Sequence, residues 1–304
     1  MPNQEALIQQ LLKTIDDSVN SFNEQIPSVQ KKAFAKIVKL MGDLDKTGDT
    51  VKLSVKNIKI IAQIKKEFEG AILDSNYKKK VDEFLKSFDE VSDINSKYFS
   101  AVTGAFKPSE VFEAIKIASV DSVTENLLGS GIQSNVVNKL NDILIQNVTG
   151  SASYEDLVDQ VRIFMTDTKE GDGALAKYAK TYTTTALNTY SRQYNETAVS
   201  DLGLQWYKYV GSLLTTSRPF CKALIDAKQE GMEYVHKSQF DDFLRGDING
   251  KKVPINKKTG LPEGLEAGTN VSNLAVKAGG WNCGHQFMPV SSKVVPKELL
   301  NKFK

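Results

Sequence analysis

Residues 174–210 read ALAKYAKTYTTTALNTYSRQYNETAVSDLGLQWYKYV. The texture of this stretch changes once, and the change decides the fold class. From Ala174 to about Asp201 it has the composition of one long helix, with Tyr178, Tyr182, Leu187, Tyr190 and Tyr194 along it. Gly171-Asp172-Gly173 breaks the chain before it, and Gly203 is placed to cap it. The threonine run lowers intrinsic helicity, so the helix depends on tertiary packing, and its tyrosines are expected to pack against neighbouring helices. Then Gln205-Trp206-Tyr207-Lys208-Tyr209-Val210 turns aromatic and β-branched, which predicts a strand.

Upstream, apolar residues recur at helical spacing. Leu7, Leu11, Leu12, Ile15 and Val19 form one stripe. Phe34, Ile37, Val38 and Met41 form another after Pro27, and Ile58, Ile61, Ile64, Phe68 and Ile72 a third. Val81, Phe84, Leu85, Phe88 and Val91 follow. Val111, Ala114, Ile115 and Ala118 come after a Pro108-Ser109 helix opening. Val136, Val137, Leu140 and Leu144 are closed by Gly150, and Leu157, Val161 and Phe164 follow Ser153 and an acidic first turn. The stripes are of unequal length and no repeat is present, which argues against a solenoid.

Downstream, Ser217-Arg218-Pro219-Phe220-Cys221 predicts a helix opening, with Ser217 as cap and proline in the first turn. Two short helical pieces are expected at 222–228 and 238–245. Residues 246–280 predict a long irregular loop with a small hairpin. Gln286-Phe287-Met288-Pro289-Val290 predicts a short strand ending near a proline. The expected fold is therefore mainly α: a long helical N-terminal region over 1–170, followed by a small α+β C-terminal module with few strands over 171–304.

Composition narrows the function classes. The chain has 304 residues, 40% hydrophobic and 25% charged, with formal net charge +2. That length suggests two domains, or one with a helical extension. The charge balance lacks the basic excess that sequence-independent DNA binding requires. The lysines at 78–80, 251–252 and 257–258 read as solvated faces. No apolar run is long enough to cross a bilayer, and the N-terminus lacks a signal-peptide pattern, so cytoplasmic synthesis is expected.

The two cysteines and two histidines all fall within residues 221–285: Cys221, His236, Cys283 and His285. Residues two apart in an extended segment point to one side, so Cys283 and His285 aim together, with Gly284 free to bend between them. Cys221 sits in the first turn of a helix, where the N-terminus stabilises a thiolate. With His236 the four could close a Cys2His2 tetrahedron around zinc, although no C-x-x-C knuckle is present. A Cys221–Cys283 disulfide, or two thiols buried as small hydrophobes beside hydrogen-bonded histidines, fits the same residues. A thiol hydrolase would use Cys221 as nucleophile and His285 as base, oriented by Asn282. No glycine-rich oxyanion loop precedes Cys221. Trp206 and Trp281 read as core anchors, and Arg218 as a brace for carbonyls or a carboxylate.

The order of these pieces carries a resemblance. A long Tyr/Thr helix leads to a strand with Trp206, then to SRPFC with Arg218 and Cys221. A variable loop follows, then GGWNCGHQFMPV, with Trp281, Asn282, Cys283, Gly284 and His285. This resembles the minor head protein (head morphogenesis) family of tailed bacteriophages, typified by the F protein of phage Mu, over about residues 174–292. The family often has an acid before the arginine motif, where this chain has Thr215 and Thr216. It often has arginine where Gly284 stands. Both departures count against an enzyme site.

The resemblance implies a virion structural protein, a minor capsid protein rather than an enzyme, lying in the capsid interior near the portal vertex. It implies help in head assembly and in DNA packaging or ejection. Its partners would be the portal protein, the major capsid protein, its own copies and packaged DNA, with no membrane. No cofactor is certain, and a structural zinc is the one these cysteines and histidines leave open. The alternative is a thiol- or zinc-dependent hydrolase, or a toxin-like effector, using Cys221 and His285.

Overall fold

The upstream apolar stripes close into helices because each one buries a face. In the computed structural model, which describes residues 3–169 and 171–303, the chain is mainly α with a small α+β part near its C-terminus. The helices before residue 170 are α1 (Gln4–Asn23), α2 (Ile26–Met41), α3 (Val55–Ile72), α4 (Ser75–Leu85), α5 (Ser87–Thr103) and α6 (Glu110–Leu128). They continue with α7 (Ser130–Ile132), which runs through a π-helical turn at Gln133–Val137 into α8 (Asn138–Thr149), and α9 (Tyr154–Met165). A two-residue hairpin, β1 (Lys46–Thr47) and β2 (Thr50–Val51), lies between α2 and α3. Among the described residues no helix is long and apolar enough to cross a membrane.

Local chemistry sets the helix starts. Ser54 accepts from Asn57 N–H, Asp74 from Tyr77 N–H and Ser153 from Asp156 N–H, which satisfies amide donors that have no intrahelical partner. Two stripes are corrected. Residues 81–91 are not one helix, since α4 ends at Leu85 and α5 begins at Ser87. In α6, Val111, Ala114 and Ala118 are exposed and the helix buries Phe112, Val123 and Leu127. Apolar residues there surround the helix, so spacing alone does not choose a face. Ile58 is likewise exposed, and α3 buries Asn57, Ile61, Ile64, Phe68 and Ile72.

The chain divides into two compact units. One comprises Ser18–Lys86 and Val120–Thr181, and the other Met1–Asp17, Ser87–Ser119 and Tyr182–Lys304. The Gly171 to Gly173 break, between α9 and α10, lies inside the first of these.

The second unit carries the cysteines and histidines. Its elements include α10 (Ala174–Leu202) from Tyr182 onward, β3 (Trp206–Val210), α11 (Pro219–Gln229), β4 (Val235–His236) and α12 (Phe240–Leu244). A hairpin of β5 (Asp247–Ile248) and β6 (Lys251–Lys252) follows, then α13 (Leu274–Lys277), β7 (Gln286–Val290) and α14 (Lys297–Lys302). Strands β4, β3 and β7 form one antiparallel sheet with β3 in the middle. Tyr209 pairs with Phe287, and Val210 with Gln286. Gly203 ends α10 with positive φ, and Leu204 N–H reaches the Val199 carbonyl, a Schellman closure.

Both faces of the sheet are covered. Tyr207, Tyr209 and Phe287 enter a core with Phe220, Leu224, Phe240 and Phe243. Trp206 and Val290 enter a smaller one with Val295. Helix α10 packs through polar groups as well. Ser191 Oγ donates to Gln286 Oε1 at 2.9 Å, and Gln286 Nε2 reaches Asn188 Oδ1 at 3.4 Å. Tyr190 and Tyr194 are buried among Phe88, Phe99 and Phe112.

Candidate metal centre

Three of the four cysteine and histidine side chains converge. Cys221 Sγ and Cys283 Sγ are 3.7 Å apart, and Cys283 Sγ is 3.6 Å from His285 Nδ1. One donor atom from each of the three lies within 4.8 Å of the others, and all three residues are buried. Both cysteines are free thiols. Pro219 opens α11, which places Cys221 in its first turn, and Cys283 and His285 lie on one side of the chain leading into β7.

His236 lies outside this group, which corrects the four-residue set. Its ring packs against Trp206 at 4.8 Å and stacks on Phe303 at 5.1 Å. Its Nδ1 contacts Ser238 Oγ at 2.8 Å, and with Gln239 it caps the short turn that follows. Placing His236 opposite Trp206 in the sheet commits its side chain to that second core.

Two arginines brace the loop that carries the donors. Arg218 Nη2 donates to the Trp281 carbonyl at 2.6 Å, and Nη1 donates to the Gly279 carbonyl. Arg192, on α10 and 2% exposed, donates from Nε and Nη2 to the His285 carbonyl at 3.1 and 2.7 Å. Its Nη2 also donates to the Cys283 carbonyl. Sequence reasoning missed Arg192. The available signal was scarcity, since only four of the chain's 39 basic residues are arginine (162, 192, 218 and 245) and two of these four are here. A planar fork of donors suits several carbonyls where an ammonium does not.

The glycine that matters is Gly279 rather than Gly284. Gly279 has φ +37°, and a Cβ there would lie 2.5 Å from both sulfurs. The backbone therefore wraps directly onto the thiols. Gly284 is exposed and a Cβ there would meet nothing within 4 Å. Gly211, just past β3, makes room for the imidazole, because a Cβ there would lie 2.8 Å from His285 Cδ2.

Two further expectations are corrected. Trp281 is 55% exposed and is no core anchor, while Trp206 is buried. Asn282 adopts φ +59° and its N–H donates to Thr185 Oγ1 at 2.8 Å, a tight turn that leaves the indole of its neighbour outside. The α11 cap is Arg218, not Ser217, whose hydroxyl instead accepts from Leu214 N–H in the preceding turn.

The electrostatics of the group are asymmetric. The hydrogen bond from the Cys221 thiol holds the Cys283 thiol well below its ordinary range, with His285 and the Arg192 charge acting the same way against burial. Its bond to Cys283, together with burial, pushes Cys221 up. Two thiolates this close repel, so without a cation one proton stays. The Tyr209 ring stacks on His285 at 5.5 Å, and burial raises the Tyr209 hydroxyl above its usual range.

No protein family, curated protein or solved structure matches this chain. The site must therefore be read from its own chemistry.

Proposed function

We propose that this chain is a minor head protein of a tailed phage, a virion component of the capsid interior at the portal vertex, made in the host cytoplasm. In this reading it aids head assembly and DNA packaging or ejection, and its partners are the portal protein, the major capsid protein, its own copies and packaged DNA. The supporting observation is the convergence of the residues that carry the resemblance. Cys221 and Cys283 meet at 3.7 Å, and Arg218 reaches the carbonyls of Gly279 and Trp281. Two short motifs separated by a long loop thus act as one clasp. The portal vertex follows from the resemblance of these motifs.

The enzyme reading has less support. Reactive cysteines sit in partly exposed, electropositive surroundings, whereas Cys221 is 2% exposed and Cys283 4%. The geometry favours a structural role for the thiols.

Coexpression of the tagged chain with the products of its neighbouring genes tests the proposal. Co-purification with a ring-forming portal protein is the expected result. Neighbouring genes that encode neither portal nor major capsid protein, or a portal that never associates, would sink it.

A further inference from the structure

We propose that Cys221 Sγ, Cys283 Sγ and His285 Nδ1 form a binding site for one soft divalent cation, with Zn2+ as its occupant. The site is argued from its own geometry and stands independently of the head-protein reading.

Distance is the first argument. Zinc–sulfur bonds of about 2.3 Å and zinc–nitrogen bonds of about 2.0–2.1 Å at tetrahedral angles imply S–S edges of about 3.8 Å and S–N edges of about 3.6 Å. Two of the three edges are 3.7 and 3.6 Å, and the third, between Cys221 and His285, lies within 4.8 Å, so His285 closes toward Cys221 when the ion seats. Both cysteines of the chain and one of its two histidines are gathered here, drawn from α11 and from the segment before β7.

Burial is the second. Cys221, Cys283 and His285 are all shut off from solvent. Two thiolates and a neutral imidazole around Zn2+ also leave the buried centre uncharged, which removes the cost of an isolated internal charge.

The third is support from the surroundings. Arg192 and Arg218 hold the carbonyls of Gly279, Trp281, Cys283 and His285. The chain around each donor is therefore fixed before any ion arrives, as outer-shell groups do in metal sites. Gly279 keeps side-chain bulk away from both sulfurs. Binding releases the thiol proton that Cys221 and Cys283 still share to solvent. No further histidine, cysteine, aspartate or glutamate joins the group among the described residues, so a fourth ligand would come from outside these residue types.

The test uses the full-length protein, purified under reducing conditions without chelator and analysed for metal by mass spectrometry. About one zinc per chain is expected to survive gel filtration. Zinc should be lost in Cys283→Ser and in His285→Gln and kept in His236→Gln. Replacement by Co2+ should give thiolate-to-cobalt charge-transfer absorption. If a variant fails to fold, the native protein still decides the matter. Titration with a mercurial should release zinc in step with thiol loss, read by a metallochromic dye. Background zinc in the folded native protein would overturn the site, as would zinc retained by a folded Cys283→Ser. A Cys221–Cys283 disulfide found by non-reducing peptide mapping of protein alkylated at lysis without reductant would overturn it too.

Discussion

The Arg192 guanidinium grips the His285 carbonyl with two donors, Nε at 3.1 Å and Nη2 at 2.7 Å. This links the middle of α10 to the segment that carries the candidate ligands. Both partners are buried, so removing the guanidinium leaves desolvated carbonyls with nothing in its place. Arg192→Met is expected to destabilise this unit by about 3 kcal/mol, and Arg192→Lys by somewhat less. Both tryptophans, Trp206 and Trp281, lie in this unit. Tryptophan fluorescence during urea unfolding therefore reports on it selectively, and a midpoint shift at constant slope is the expected signature. An unchanged midpoint would refute the brace.

Gly279 and Gly284 make a paired prediction. A methyl group at 279 meets both sulfurs and strains a left-handed backbone, whereas at 284 it meets open space. Gly279→Ala should cost at least about 2 kcal/mol, and Gly284→Ala should fall within about 0.5 kcal/mol of the native protein. Equal effects in the same fluorescence-detected unfolding would show that the close approach at 279 is unimportant.

His236 predicts a pH dependence. Burial lowers its pKa below the usual imidazole value. The unfolded chain then binds more protons than the folded one as pH falls through about 6.5, the ordinary histidine range. Stability contributed by neutral His236 is complete above that pH and declines below it. Thermal melts of the native protein and His236→Phe, compared at pH 7.5 and pH 5.5, should diverge, with the native protein losing more on acidification. Parallel losses would remove His236 as the cause.

Asn57 offers a test in the other unit. Its side chain, fully buried, accepts from Asp45 N–H and donates to the carbonyls of Asp45 and Lys52, closing the turn that carries β1 and β2. Asn57→Ala leaves the Asp45 N–H and the Lys52 carbonyl unpaired, while the Asp45 carbonyl keeps the Lys52 N–H, and should cost about 2 kcal/mol. Hydrogen exchange at the Asp45 amide should accelerate, with tryptophan fluorescence unfolding unchanged. Slow exchange at the Asp45 amide in the variant would contradict this.

Much of the fold was legible in the sequence because burial imposes period on an amphipathic chain. The long helix, the aromatic strand of Trp206–Val210 and the final strand of Gln286–Val290 stand where the spacing places them. Period fails where apolar residues surround a helix, as in α6, and there only packing of Phe112 against Tyr194 at 4.5 Å selects the face. Trp281 carries no positional signal either. Whether a lone indole is buried depends on the turn beside it, here the positive φ of Asn282.

For the site, the sequence by itself determined the inventory: two thiols and two imidazoles, confined to the last third of the chain. Tertiary structure decided which of them meet. It brought Cys221 to Cys283 and His285 across a long loop and sent His236 to an aromatic core beside Trp206 and Phe303. It also recruited Arg192, whose position in α10 no local spacing marks for that role. The physical reason is range. Helical and strand periods are local, while a donor cluster is fixed by contacts between residues about sixty to ninety positions apart, where no spacing rule operates.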